Sequence, residues 1–217
     1  MANIKPYREM SLANLDSGTV ISHLTDSELA LLTEAFKKYY DESEIKKRNK
    51  RASHYGKYWI VFLFLRATGA RLSEVLAIDE ARDIDFRNSE VRLITLKRHN
   101  KKKKGILTRL VPIDPNVINE YLRFVNLHPE VRGSVFKIKR NNFFIVFRRL
   151  ALSVSIPKDL AHPHILRHTR AIELLRAGIP VTAVQQLLGH AMLNTTAMYL
   201  KYSAIEVKSI MKDRGLI

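Results

Sequence analysis

The stretch HPHILRHTRAIELLRAGIPVTAVQQLLGHAMLNTTAMY, residues 162–199, is punctuated as three successive helices. Gly178 followed by Pro180 ends the first and starts the second, because a glycine just past a helix end takes the left-handed turn and a proline is tolerated where a helix begins. Leu187-Leu188-Gly189-His190 closes the second helix, and Asn194 stands where it can cap a third that carries Tyr199. His164 and Arg167, three residues apart at the opening of the first helix, share a face and can reach one ligand. The spacings of two histidines, an arginine and a tyrosine therefore suit three helices that converge on one phosphate.

Working outward, Arg140 to Val154 has helical periodicity, with Phe143, Phe144, Val146, Phe147 and Leu150 toward the core and Arg148 and Arg149 toward solvent or a polyanion. Asp114-Pro115 is a cap followed by proline at the first helical position, opening a helix through about Asn126. Before it, Asp83 to Phe86, the Arg87-Asn88-Ser89 turn, Glu90 to Lys97 and Ile106 to Ile113 read as a small antiparallel sheet. Its last two strands are separated by the basic run Arg98 to Lys104 and Gly105. Ser53 to Thr68 is a core helix ended by Gly69, and Arg71 follows at once, with Glu74 as an i, i+3 ion-pair partner. Thr25-Asp26-Ser27-Glu28 is a capping box that opens a helix through Tyr40, with Leu29, Leu32, Ala35, Phe36 and Tyr39 on its apolar face. Ser203 to Glu206 is a second capping box, opening a short helix over 204–213. Residues 1–22 show no sustained period and read as an arm, leaving 23–217 as one domain.

The chain of 217 residues is 46% hydrophobic, enough for a proper core, which argues against disorder. Lys and Arg number 37 against 21 Asp and Glu, a formal charge of +16 that points to a polyanion partner, nucleic acid first. Cysteine is absent, which excludes disulfides, thiol catalysis and thiolate metal sites. No leader-like segment opens the sequence, and no apolar run approaches the roughly 20 residues that span a bilayer. The chain reads as soluble and intracellular.

His164-Ile-Leu-Arg167-His168, then Leu188-Gly189-His190, then Tyr199 nine residues on, resembles box II of the tyrosine recombinases, the phage integrase family. Thr68-Gly69-Ala70-Arg71-Leu72-Ser73-Glu74 resembles their box I. The likeness covers roughly residues 24–210, the catalytic domain alone, where such proteins usually carry a further helical core-binding domain in front. It implies an α+β fold, mainly α-helical with a small antiparallel three-stranded sheet. The activity implied is metal-independent, cofactor-free site-specific recombination (integration, excision or inversion) through a 3′-phosphotyrosine intermediate. The implied partners are a double-stranded DNA site and further copies of the chain, dimer to tetramer on DNA and monomeric when free, in the cytoplasm, at the nucleoid or in a host cell.

The resemblance makes Tyr199 the nucleophile, Arg71 and Arg167 the phosphate clamp, and His164 and His190 hydrogen-bonding or proton-shuttling groups, with Glu74 and His168 in support. A tyrosine can store the energy of a broken phosphodiester, and a planar guanidinium suits charge spread over the non-bridging oxygens. The family also places a catalytic lysine at the hairpin between the last two strands. The strand end picks Lys97, which we take as the general acid, whereas counting back from Val111-Pro112 favours Lys104. Lys101, Lys102, Lys103 and Lys104, with Lys46, Lys47 and Arg48 in the basic stretch after the first helix, are expected to attract DNA phosphates.

The rival readings are distinct. Arg170 to Gly189 also reads as helix, turn and helix, so a DNA-binding regulator is one alternative, though it leaves Arg71 and Tyr199 unemployed. Asp79, Glu80, Asp83 and Asp85 offer a metal-dependent nuclease, against capping and solvation at a helix end. A type IB topoisomerase uses the same tyrosine, arginine and histidine chemistry, and sequence-tolerant relaxation separates it from site-specific exchange. Tyr202 is a decoy beside Tyr199, and His99, His128 and His162 read as structural histidines.

Overall fold

The computed structural model describes residues 22–45, 52–95 and 108–189. The chain enters at Leu24, which is buried and donates its N–H to Thr169 Oγ1 at 3.0 Å. Helix α1 (Asp26–Ile45) opens as the capping box requires. Thr25 N–H donates to Glu28 Oε2 at 2.8 Å and Glu28 N–H returns a bond to Thr25 Oγ1 at 3.2 Å, which satisfies two donors that a helix start leaves open. Leu29, Leu32 and Phe36 are buried and Ala35 and Tyr39 lie at the edge of the core, the apolar stripe read from their spacing.

Helix α2 (Ala52–Thr68) is the central element, buried almost all round from Tyr58 to Leu65 and packed by α1, α5 and α7. It is followed by two single turns, α3 (Leu72–Val75) and α4 (Glu80–Asp83), and by a three-stranded antiparallel sheet in the order β1-β2-β3. The strands are β1 (Ile84–Asp85), β2 (Glu90–Ile94) and β3 (Thr108–Pro112), with Val91 opposite Val111 and Leu93 opposite Arg109. Two boundaries correct the sequence reading. Asp83 belongs to α4, because Asp79 caps that turn through Ala81 and Arg82 N–H. The ladder of β2 ends on the Ile94–Thr108 pair, so the described strand stops three residues short of Lys97.

Helix α5 (Pro115–Leu127) begins as predicted, Asp114 Oδ1 accepting from Asn116 N–H at 2.8 Å. A 3-10 turn at Pro129–Val131 leads toward α6 (Arg140–Ser153), α7 (Ile165–Arg176) and α8 (Val181–Leu188). The main core is aromatic where α1, α2 and α6 meet: the Phe36 and Phe62 rings stack at 4.2 Å, and Phe143 and Phe147 close on Phe36 at 6.1 and 5.7 Å. Phe144 departs from expectation. Positions 143, 147 and 150 already fill the inward stripe, and the 100° step from 143 turns Phe144 outward, where it is 41% exposed. A second, smaller cluster of Ala171, Ile172, Leu175, Val184 and Leu188 joins α7 to α8. No helix among the described residues is long and apolar enough to cross a membrane.

Candidate anion-binding site

The turn between α2 and α3 is where the two motifs meet. Gly69 has a φ of +60°, and a Cβ there would lie 2.6 Å from Leu188 Cδ2, so glycine serves both the backbone turn and the close pass of α8. The Gly69 carbonyl accepts a 3.0 Å bond from Arg167 Nη1. Arg167 is only 2% exposed. A cation held so deep needs acceptors, and the helix start of α7 hands one of its nitrogens to the box I turn.

Arg71 is the extended residue before α3, with a side chain 18% exposed. Its Nη1 donates to Glu74 Oε1 at 2.8 Å and its N–H to Glu74 Oε2 at 3.1 Å, so the i, i+3 ion pair read from sequence is present. That pair uses one guanidinium nitrogen. Among the described residues the others make no further hydrogen bond, which leaves them for an anion. Burial alone would raise the Glu74 pKa. Hydrogen bonds and charge from Arg109, then bonds from Arg71, outweigh it and hold the carboxyl below its usual value.

His164 is the residue at which α7 begins, and its ring meets the His168 ring edge-on at 4.7 Å. Crowding by protein atoms, then the neighbouring His168, Arg167, His162 and Arg71, lower the His164 pKa to about 4, although part of its surface faces solvent. His168, less exposed, is lowered to about 4 by burial and by His162, Arg167 and His23. Both rings are therefore neutral at pH 7 and can each donate or accept a proton. The positive fields of Arg167 and Arg71 both reach His164, although box I and box II are more than 90 residues apart in sequence. The fold thus gathers Arg71, Glu74, His164, Arg167 and His168 at one place. Lys46, Lys47, Arg48, Lys97, Lys101, Lys102, Lys103, Lys104, His190 and Tyr199 lie outside the described residues, as do Asn194, Tyr202, the second capping box and nearly all of the arm.

Arg109 is the residue that sequence reasoning missed. It stands opposite Leu93 in the sheet, its side chain 10% exposed, and spends all three guanidinium nitrogens on protein acceptors. Nη2 reaches Glu74 Oε2 at 2.7 Å, Nε the Leu187 carbonyl at 2.8 Å and Nη1 Thr95 Oγ1 at 3.1 Å. The signal was strand alternation: Val111 faces inward, so Arg109 two residues earlier must face inward too, and an inward arginine needs a carboxylate.

The carboxylates of the metal-nuclease reading have other employment. Glu80 accepts from Tyr121 Oη, Gly133 N–H and Val135 N–H, Asp83 pairs with Arg82, and Asp85 holds the turn at Arg87 and Asn88. The helix, turn and helix of the regulator reading is present as α7, Gly178 and α8, but the end of α8 is bound to Arg109. His128, at α5's end, lies 3.4 Å from Tyr40 Oη and against the Phe124 ring, a packing role. His162, its pKa lowered by burial, lies close enough to His164 and His168 for their titrations to interact.

Fold and site together define a mainly helical basic domain that brings two arginines and two neutral histidines to one place. The sequence profile of the phage integrase family matches residues 23–205, and the chain belongs to that family, the tyrosine recombinases. A tyrosine recombinase of Pseudothermotoga lettingae is 32% identical over 163 residues, 73% of this chain and 54% of that protein. The tyrosine recombinase XerC of Mesorhizobium japonicum is 36% identical over 148 residues, 64% and 45% of the two chains. The chain thus spans about half the length of these curated relatives. Among solved structures, XerA recombinase superposes with a TM-score of 0.66 at 20% identity, covering 96% of this chain and 71% of that one. XerH recombinase, in a post-cleavage complex with a palindromic difH substrate, gives 0.65 at 20% identity over 88% and 53%. The catalytic domain of bacteriophage HP1 integrase gives 0.57 at 20% identity over 89% of this chain and 95% of its own. The α+β architecture with its three-stranded sheet is that of these catalytic domains.

Proposed function

We propose that residues 23–217 form the catalytic domain of a site-specific DNA recombinase, preceded by an arm over 1–22, that breaks and rejoins strands through a 3′-phosphotyrosine link. The observation that carries the reading is the gathering of Arg71 from box I with His164 and Arg167 from box II at one turn of the fold. In the reaction the Tyr199 oxygen attacks the scissile phosphorus, a bond to tyrosine forms and the bond to the 5′-oxygen breaks. Arg71 and Arg167 neutralise charge on the non-bridging oxygens. The tyrosine proton passes to a neutral imidazole, His164 or its partner His190, and Lys97 supplies a proton to the departing 5′-oxygen. Attack by the 5′-hydroxyl of another strand reverses these steps and joins the new pair.

The partners are a double-stranded DNA site, engaged by Lys46, Lys47, Arg48 and the lysines at 101–104, and further copies of the chain, dimer to tetramer on DNA. The reaction needs no cofactor, and its setting is the cytoplasm, at the nucleoid or in the host of a mobile element. The net charge of +16 supports a polyanion partner, and the DNA-bound XerH neighbour supports the substrate class. The test is covalent capture. Incubated with a randomised duplex pool, the wild type should yield a detergent-stable protein–DNA adduct, and Tyr199→Phe none at nearly unchanged DNA affinity, because it removes one oxygen and no charge. Adduct formation by Tyr199→Phe and not by Tyr202→Phe would sink the assignment.

A further inference from the structure

Glu74 is the hinge of the site. Its side chain has no exposed surface, and its two oxygens are divided: Oε1 binds Arg71 Nη1, while Oε2 binds Arg109 Nη2 and the Arg71 N–H. A buried carboxylate facing one arginine alone tends to the two-pronged pairing in which both oxygens grip both prongs of the guanidinium. Here Arg109 occupies the second oxygen and keeps Glu74 from gripping Arg71 in that way.

The same guanidinium reaches two other elements. Nε holds the Leu187 carbonyl near the end of α8, three residues before His190 in sequence, and Nη1 holds Thr95 just after β2, two residues before Lys97. Gly189 is shaped around it: the residue has a φ of +70°, and a Cβ would lie 2.8 Å from Arg109 Nη1. With Nε, Nη1 and Nη2 each bonded to protein and the side chain only 10% exposed, Arg109 is held by the fold rather than presented to DNA.

Resting on the recombinase reading, we propose that Arg109 is a positioning residue: by occupying Glu74 it frees Arg71 to bind the scissile phosphate, and it ties the ends of β2 and α8 to that same carboxylate. Without it Glu74 closes on Arg71 with both oxygens and withdraws donors from the phosphate. The effect then falls on the chemical step, because nothing that contacts DNA has been removed.

The experiment takes a duplex that the wild type cleaves, selected from the randomised pool, and measures single-turnover adduct formation at saturating DNA, the DNA Kd and Tm. Arg109→Met should slow adduct formation by about tenfold to a hundredfold, with Kd changed by less than about threefold, the scale of a misaimed catalytic group. Arg109→Lys restores charge opposite Glu74 but cannot span three acceptors, and should fall between the two; it also carries the test if the methionine variant does not fold. The discriminating substrate carries a methylphosphonate at the scissile position, which lacks the negative charge that Arg71 clamps. On it the Arg109 penalty should shrink to within about threefold. Equal penalties on phosphate and methylphosphonate would mean a structural residue and overturn the proposal, as would variants that cleave at the wild-type rate. If the wild type forms no adduct with any duplex, the recombinase reading falls first and this one with it.

Discussion

Arg167→Lys separates clamping from packing. In the wild type Nη1 is committed to the Gly69 carbonyl at 3.0 Å, which fixes the 2% exposed guanidinium in the place where the proposed reaction needs it to meet a phosphate. A lysine keeps the charge and can satisfy Gly69, but its single ammonium cannot fork between that carbonyl and an anion. We expect it to cost only about 1 kcal/mol of stability, the net worth of an ordinary hydrogen bond. Loss of one preorganised donor to a developing oxyanion costs about 2.7 to 4 kcal/mol, so adduct formation should slow by roughly a hundredfold to a thousandfold. Arg167→Ala gives the contrast. It strips the Gly69 carbonyl of its buried donor, about 1 to 3 kcal/mol, and at about 2 to 4 °C per kcal/mol for a domain of this size its Tm should fall visibly further than that of the lysine variant. Single-turnover adduct formation on denaturing gels, read beside Kd and Tm, makes the measurement. A lysine variant within about threefold of the wild-type rate would refute a forked role for Arg167.

Gly69→Ala should destabilise the domain by at least about 1 to 2 kcal/mol, the cost of a left-handed non-glycine residue, with further loss from contact with Leu188; an unchanged urea midpoint would contradict the packing described. Stability should fall as pH drops from about 6.5 toward 4. His164 and His168 have folded-state pKa values lowered to about 4, so across that window the unfolded chain binds more protons and folding is penalised. A tenfold weaker hold on a proton is worth about 1.4 kcal/mol, discounted for the solvent at His164, so a combined loss on the order of 2 kcal/mol is expected; a His168→Gln variant that keeps the full slope would disprove the cause. For the general acid, a 5′-bridging phosphorothiolate should rescue Lys97→Ala, because its sulfur leaves without a proton, whereas rescue of Lys104→Ala would move the role to the loop.

What the sequence could and could not disclose follows from how far each interaction reaches along the chain. The caps at Thr25 and Asp114, the stop at Gly69 and the turn at Gly178 are local effects of a few residues, and the structure has each where the residue types put it. The Arg71–Glu74 pair is local too, an i, i+3 contact. The convergence of box I on box II spans more than 90 residues, and only the family resemblance announced it, since no periodicity links Gly69 to Arg167. Phe144 differs from expectation because composition marks an aromatic as apolar without saying which side of the helix is already full.

Arg109 escaped for a different reason. It sits in a stretch where basic residues are common, and an arginine in a basic protein reads as one more phosphate contact. Its place in the register contradicts that: it lies on the same face as buried Val111, across from buried Leu93, where a solvated or DNA-bound charge would not be found. Two arginines sharing Glu74 make its burial tolerable: Arg71 Nη1 serves one oxygen, and Arg109 Nη2 with the Arg71 N–H serves the other. Hence the basic excess of this chain is of two kinds. Some of it, on the proposed reading, serves an anion that comes and goes, and some, as at Arg109, is bonded within the protein, a division that net charge conceals and strand register exposes.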